Sequence, residues 1–161
     1  MIIRKFNIKD SEEVYRLVFE VFSKFFALSF TKRAANKWLA EQIPEKQVKR
    51  AKTRDVFVSI INGEIVGMIE AKMEKGKKGN RISRLFVDKK YHKRGVGKAL
   101  VGKIEKLYKK RGVKKIIINS SPYAVGFYVK VGYKKNGKII KKEGMAYQPM
   151  IKILPDQVNH G

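Results

Sequence analysis

The residues with the clearest chemical potential run from Lys90 to Lys98: Lys90-Tyr91-His92-Lys93-Arg94-Gly95-Val96-Gly97-Lys98. Before them, Ile82–Asp88 carries Ile82, Leu85, Phe86 and Val87 and reads as a strand. After them, Val96, Leu100, Val101, Ile104, Leu107 and Tyr108 recur at helical spacing, which predicts a helix from near Gly95 towards Arg111. A helix start leaves about four backbone N–H groups without intrahelical acceptors. The peptide dipoles add about half a positive charge at that end. Gly95 and Gly97 present no Cβ to hold an anion off those donors, and Lys93, Arg94 and Lys98 add positive charge. The chemistry that suits this pattern is binding of a phosphate or pyrophosphate. A Walker loop is excluded, because the Lys-Ser/Thr pair is absent. A dinucleotide fingerprint is disfavoured, because the third glycine is missing. On these residues alone, a merely solvated basic loop remains the alternative.

The elements that must position this loop follow from pattern and punctuation. Met1–Phe6 begins a strand. Asp10-Ser11-Glu12-Glu13 starts a helix that runs to about Leu28, with Val14, Leu17, Val18, Val21, Phe22 and Phe25 inward. Thr31 caps a second helix reaching about Gln42, Pro44 ends it or opens the next, and Glu45–Lys52 is helical. Phe19, Phe22, Phe25, Phe26, Phe30 and Trp38 are assigned to the core. Asp55–Ile61 and Glu64–Glu74 form a hairpin across Asn62-Gly63. A loop over 75–80 leads to the strand Arg81–Asp88. Lys114–Asn119 is a central strand, Ser120-Ser121-Pro122 opens a helix through Lys130, and Tyr133–Ile140 and Ala146–Leu154 are the last strands. Asn136-Gly137 and Glu143-Gly144 are candidate turns between them. The fold class is α+β: a mixed, mostly antiparallel sheet with helices on both faces. One domain is expected over residues 1–154, with a flexible tail at 155–161.

His92-Lys93-Arg94-Gly95-Val96-Gly97 resembles the Gln/Arg-x-x-Gly-x-Gly/Ala signature of the GNAT superfamily of acyl-CoA N-acyltransferases, with His92 in place of Gln or Arg. Ala124-Val125-Gly126-Phe127-Tyr128-Val129-Lys130-Val131-Gly132-Tyr133 is similar to that family's Ala-x-x-hydrophobic-Tyr-x-x-x-Gly-Phe segment, with Tyr133 for Phe. The two motifs occur in the family's order, and Gly144–Met150 resembles the final strand of one branch.

The resemblance implies a GNAT fold in which the strand before the signature and the strand at 114–119 splay apart to hold a pantetheine arm. It implies acetyl-CoA as cosubstrate and an amine acceptor. His92 and His160, the two histidines, lie in the basic loop and the tail without placed carboxylates, so no metal is expected. Leu85, Phe86 and Val87 would pair with the arm through their peptide groups. His92, Lys93, Arg94, Gly95, Val96, Gly97 and Lys98 would hold the pyrophosphate. Phe127 and Ser121 complete the implied cofactor-binding set, with Ser121 where many members place Asn. Tyr128 matches the family's acid to the departing thiolate; a phenol with an ordinary pKa near 10 is protonated at neutral pH. The base is less determined. Arg81 stands where some members carry Glu, and arginine cannot take a proton. Glu70 is the candidate replacement. Simple alternation puts it on a face with Val66 and Met68, with Ile65, Ile69 and Met73 on the other. Pairing of Glu70 with Lys72 or Arg84 is the alternative, and water a further proton carrier.

The 161 residues suffice for one domain with a core. There is no cysteine, which excludes disulfides, thiolate metal sites and a cysteine nucleophile. No apolar run approaches a membrane span and no signal peptide is apparent, so a cytoplasmic protein is expected. Net charge is +24, from 38 Lys+Arg against 14 Asp+Glu. Such a field attracts any anion. It supports a second expectation, a basic nucleic-acid- or ribosome-associated binding protein on the same fold without turnover. Against that reading stands the lack of aromatics interleaved with the basic loops. The leading expectation is an N-acetyltransferase, monomer or homodimer, acting on a small amine or a protein N-terminus.

Overall fold

A computed structural model describes residues 1–74 and 79–156. Part of the loop read at 75–80, and the tail from residue 157 with His160, lie outside the described residues.

Strand β1 (Ile2–Lys5) leads through a 3₁₀ turn at Ile8–Asp10 into helix α1 (Ser11–Val21). The entry is fixed by reciprocal capping. Asn7 Oδ1 accepts from the Lys9 N–H, while the Asp10 carboxylate accepts from the Asn7 N–H and from Arg4. Helix α1 buries Val14, Leu17, Val18 and Val21. It does not continue regularly to Leu28 as its periodicity suggests. Phe22–Phe26 is a π-helical turn and Ala27–Ser29 a 3₁₀ turn. The aromatic rings are engaged there: Phe22 stacks on Trp38 at 4.2 Å, and Phe25 on Tyr123 at 5.0 Å. Phe19, assigned to the core from sequence, is instead 46% exposed. Helix α2 (Lys32–Ala40) is capped by Thr31, whose Oγ1 accepts from the Ala34 N–H, and α3 (Pro44–Ala51) opens on its proline.

The sheet takes β2 (Asp55–Ile61), β3 (Glu64–Lys72), β4 (Arg81–Val87) and, after helix α4 (Val96–Lys110), β5 (Lys115–Ser120). Helix α5 (Val125–Lys130), β6 (Lys134–Lys135), β7 (Ile140–Lys142) and β8 (Met145–Ile153) follow. Strand order is β1-β2-β3-β4-β5-β8-β6, with β7 also on β8. The strand expected over Tyr133–Ile140 is broken in two, because left-handed Gly137 (φ 98°) turns the chain away. The hairpin turn into β8 sits at Glu143-Gly144, both left-handed.

Two apolar layers cover the sheet. On one face α4 packs Val96, Leu100, Val101, Ile104 and Tyr108 against β-strand residues such as Ile69, Ile82 and Ile116. On the other, α1 and α2 cover Val58, Ile65, Met68 and Phe86. A register shift corrects the face assignment made from simple alternation. Ser59 opposes Gly67 but Ile60 opposes Ile65, so Val66 is an extra residue. The bulge re-aims the chain on either side of it. Val66 therefore joins Ile69 in the α4 layer, and Ile65 joins Met68 in the α1 layer. Met73 is exposed rather than buried with Ile69.

A second shift sits where it matters more. Glu70 opposes Arg84 but Ala71 opposes Ile82, which leaves Ser83 as the extra residue on β4. Among the described residues, strands β4 and β5, the parallel pair, are in register only at Arg81↔Ile117 and Ile82↔Ile118, with the Ile117 N–H donating to Asn80 O just before them. Beyond Ile82 they part, although β4 continues to Val87 and β5 stays paired with β8 out to Ser120↔Gln148. The sheet is open between Ser83–Val87 and the end of β5.

Candidate active site

The first wall of this opening is backbone. The Asp88 N–H donates to Val66 O at 2.8 Å, so Asp88 and Val66 are a hydrogen-bonded pair of the β3–β4 ladder. Antiparallel pairs alternate, so Phe86, opposite Met68, also turns its peptide groups to β3. Leu85 and Val87 turn theirs into the opening. The three-residue set expected to face a ligand through its backbone is thus narrowed to two. The third contributes its side chain to the other face, where Phe86 lies 5.2 Å from Phe26 and 5.7 Å from Trp38, ring centre to ring centre.

The Lys90–Lys98 loop lies at the mouth. Left-handed backbone at Lys93 (φ 61°) and Gly95 (φ 83°) turns the chain into α4. Gly95 suits that conformation, which L-residues adopt only at a cost. Gly97 has a different reason. A Cβ there would lie 3.0 Å from the edge of the Phe127 ring, so the glycine lets α4 and α5 meet. The first helical bond runs from the Ala99 N–H to Gly95 O. The N–H groups of Val96, Gly97 and Lys98 therefore have no acceptor within the helix, beside exposed Lys93, Arg94 and Lys98. His92 does not add to this cradle. Its Nε2 lies 2.7 Å from Val87 O and its ring packs on Phe25, which ties the loop to the end of β4.

Across the opening stand Ser121 and Tyr128. The Ser121 Oγ is buried and has no hydrogen-bond partner among the described residues, an arrangement that folded proteins seldom leave unexplained. Tyr128 is 6% exposed and packs edge-on against Phe127 and Tyr133. Burial pushes its phenol up, which keeps it protonated across the neutral range. Its hydroxyl makes no hydrogen bond among the described residues and is not sealed from solvent.

The carboxylate expected to act as base is placed otherwise. Glu70 is the hub of a buried ion cluster. Its Oε1 accepts from Arg50 Nε at 3.3 Å and Arg84 Nη1 at 3.2 Å, and its Oε2 from Arg54 Nη1 at 2.9 Å. Three guanidinium groups thus share its two oxygens, the surroundings of the anion of an ion cluster. Lys72, the other expected partner, pairs with Glu74 instead. Burial draws the Arg84 guanidinium down to about 10; Glu70 opposes that shift, and the like charges of Arg50 and Arg54 add to it.

Sequence reasoning did not find the ring cluster that spans the mouth. Tyr123, in the 3₁₀ turn Pro122–Ala124, stacks on Phe25 and meets Phe26 edge-on. These contacts join residues far apart in the chain, and the only local signal was the Phe25-Phe26 doublet. Arg50 and Arg54 went unnoticed for the same reason. Among the described residues, no group of three or more His, Cys, Asp or Glu could hold a metal ion, and no helix is long and apolar enough to cross a membrane.

The fold has many solved relatives. The chain superposes on PaiA N-acetyltransferase from Thermoplasma acidophilum, solved in complex with coenzyme A, with a TM-score of 0.79 and 23% identity, covering 94% of this chain and 98% of that one. A GCN5-related N-acetyltransferase from Rhodopseudomonas palustris also gives 0.79 at 23% identity, covering 95% of each chain. An aminoglycoside 6'-N-acetyltransferase from Enterococcus faecium gives 0.71 at 19%, covering 99% of this chain and 100% of that one. A family model described as an acetyltransferase (GNAT) domain matches residues 26–154. That match takes in the opened strand pair, the glycine loop and Tyr128, and the chain belongs to the GNAT family of acetyltransferases.

Proposed function

We propose that this protein transfers an acetyl group from acetyl-CoA directly to a primary amine, with both substrates bound at once. The observation that carries the proposal is the parting of β4 and β5 after Ile82, beside which Ser121 Oγ is buried without a hydrogen-bond partner among the described residues. Acetyl-CoA supplies a thioester, an acyl group on a thiolate that can leave. The N–H groups of Val96, Gly97 and Lys98, with Lys93 and Arg94, hold its pyrophosphate. Leu85 and Val87 hold its amide-bearing arm by extending the β4 ladder, and Ser121 Oγ donates to it. His92 fixes the loop on Val87 O, and Phe127 backs the glycine turn.

The N–H of Leu85 or Val87 meets the acyl oxygen, where negative charge gathers as the amine attacks. Tyr128 gives its phenolic proton to the departing sulfur and regains one from solvent. As the N–C bond forms and the C–S bond breaks, the amine's proton passes to water, since Glu70 is committed to its arginines. Glu70 is a positioning residue in this scheme.

The test is release of free thiol from acetyl-CoA in the presence of a panel of amines, with the acetylated amine identified by mass. Amine-dependent release is expected. Acetyl-CoA binding without release for any amine would overturn the transferase reading.

A further inference from the structure

The cluster around Glu70 carries more positive charge than one carboxylate offsets. Arg50, Arg54 and Arg84 all bond to Glu70. A further acid acting on Arg84, Glu41, is paired with Lys46. The Arg84 side chain is only 13% exposed. A surplus of withdrawn cations is an arrangement that an incoming anion relieves.

The three arginines differ in what they have left to give. Arg50 uses Nε on Glu70, Nη1 on the Glu41 carbonyl and Nη2 on Gln42 Oε1. Arg84 uses Nη1 alone. Its Nε and Nη2 make no hydrogen bond among the described residues, and neither is sealed from solvent. Those two atoms form one edge of the guanidinium fork, the edge that grips a carboxylate through two parallel bonds. Glu70 holds the opposite side, and the Trp38 ring lies 5.8 Å from the guanidinium carbon. The fork is therefore pre-set before any ligand arrives.

Its position is equally specific. Arg84 follows the Ser83 bulge, just past the last β4–β5 pair. An arm laid along Val87 and Leu85 from the glycine loop ends at this closed end of the opening. The amine must reach the same place from the face that α4 leaves uncovered. On that face Arg84 lies against the Trp38 ring, which in turn packs on Phe86, and Phe86 on Phe26; the acid bonded to Arg84, Glu70, is shared with Arg50 and Arg54.

We infer that Arg84 binds a carboxylate of the acceptor, so that the substrates are amines bearing a carboxylate, such as amino acids, rather than polycations. The inference rests on the acetyl-transfer reading above. Arg84 is then a specificity-determining residue, and Glu70, Arg50 and Arg54 position it.

The experiment compares matched probes, phenylalanine with phenylalaninamide and leucine with leucinamide, by calorimetric titration with and without coenzyme A and by kcat/KM for acetylation. Chemistry alone favours the amides, whose amines are less basic. The wild type is expected to favour the acids by on the order of 10- to 100-fold in both readouts. Arg84→Gln should erase the ratio while coenzyme A affinity stays unchanged. Arg84→Lys, which keeps charge but loses the fork, should retain only part of it. Binding of neither probe, equal binding of acid and amide by the wild type, or a ratio that survives Arg84→Gln overturns the inference. The wild-type comparison stands even if a variant fails to fold. A clear acid preference in binding with no turnover would sink the transferase reading and leave this site in place.

Discussion

On the α4 side, the opening between β4 and β5 is bounded by main chain: Leu85 and Val87 peptide groups, and a helix start reached through left-handed Lys93 and Gly95. On the α2–α3 side it is bounded by long side chains: Arg84 against Trp38, and the Arg50, Arg54 and Glu70 cluster behind it. Backbone donors are common to every sequence that can take the conformation. They suit a ligand part that all members of a family share. Side chains of particular charge and reach suit the part that differs. The comparison teaches where to look in this molecule for the general reaction and where for the individual substrate.

The largest expected effect lies between the two sides, at the reacting atoms. Tyr128→Phe should lower kcat by about 10²- to 10⁴-fold, the usual worth of a positioned proton donor, with the dissociation constant for acetyl-CoA unchanged. Because burial raises the phenol, its proton is retained through the neutral range. The pH–rate profile should therefore show no alkaline loss from this group below pH about 10. A limb at lower pH that Tyr128→Phe abolishes would contradict this.

The next effect sharpens the side-chain half. Glu70→Gln leaves three guanidinium groups without their shared anion. Urea unfolding should show a loss of about 3 kcal/mol, the lower end for breaking a buried ion pair since the arginines are partly solvated. Acetyl-CoA affinity should survive, because no part of the α4 side depends on Glu70. If the two fell together, the separation of the sides would be wrong.

A smaller effect tests the main-chain half. Gly95→Val forces a branched residue into left-handed backbone, a strain of about 1–2 kcal/mol. Acetyl-CoA should bind about tenfold more weakly by calorimetry, and the melting temperature should fall by only a few degrees, because the strain is confined to the backbone and nothing lies within 4 Å of the added Cβ.

The smallest is a control outside both sides. The Asp10 carboxyl is held below its usual range, chiefly by the Arg4 side chain. A lowered carboxyl stabilises the fold above its unfolded pKa and loses that contribution as pH falls through its folded one. Asp10→Asn should lower the melting temperature slightly at pH 7, with the difference closing below pH about 4 and no change in kinetics.

How legible all this was in the sequence follows the same division. Periodicity identified α4 and its inward residues Val96, Leu100, Val101, Ile104 and Tyr108, which are buried, and Leu107, which is half-buried at the edge of the same layer. The Asn62-Gly63 hairpin and the Thr31 cap followed from local turn and capping chemistry. Local pattern failed at bulges. The extra residues Val66 and Ser83 flip faces, and nothing in their types announces it. At Glu70 the alternative pairing with Arg84 was legible from the adjacent strands, but Arg50 and Arg54 come from a helix end and a loop that only the tertiary fold brings near. The π turn at Phe22–Phe26 is set by rings from other elements, so helix periodicity ran through it. Gly97 was read as room for a ligand, but its immediate neighbour is Phe127.

The central claim is that the α4 side is a built acyl-CoA site rather than one more patch of a protein with net charge +24. The direct measurement is calorimetric titration of acetyl-CoA at low and high salt, for wild type and Gly95→Val. The account predicts binding that persists in high salt, where surface attraction is screened, and that weakens about tenfold in the variant. Absence of binding, or binding that salt abolishes equally in both proteins, would contradict it.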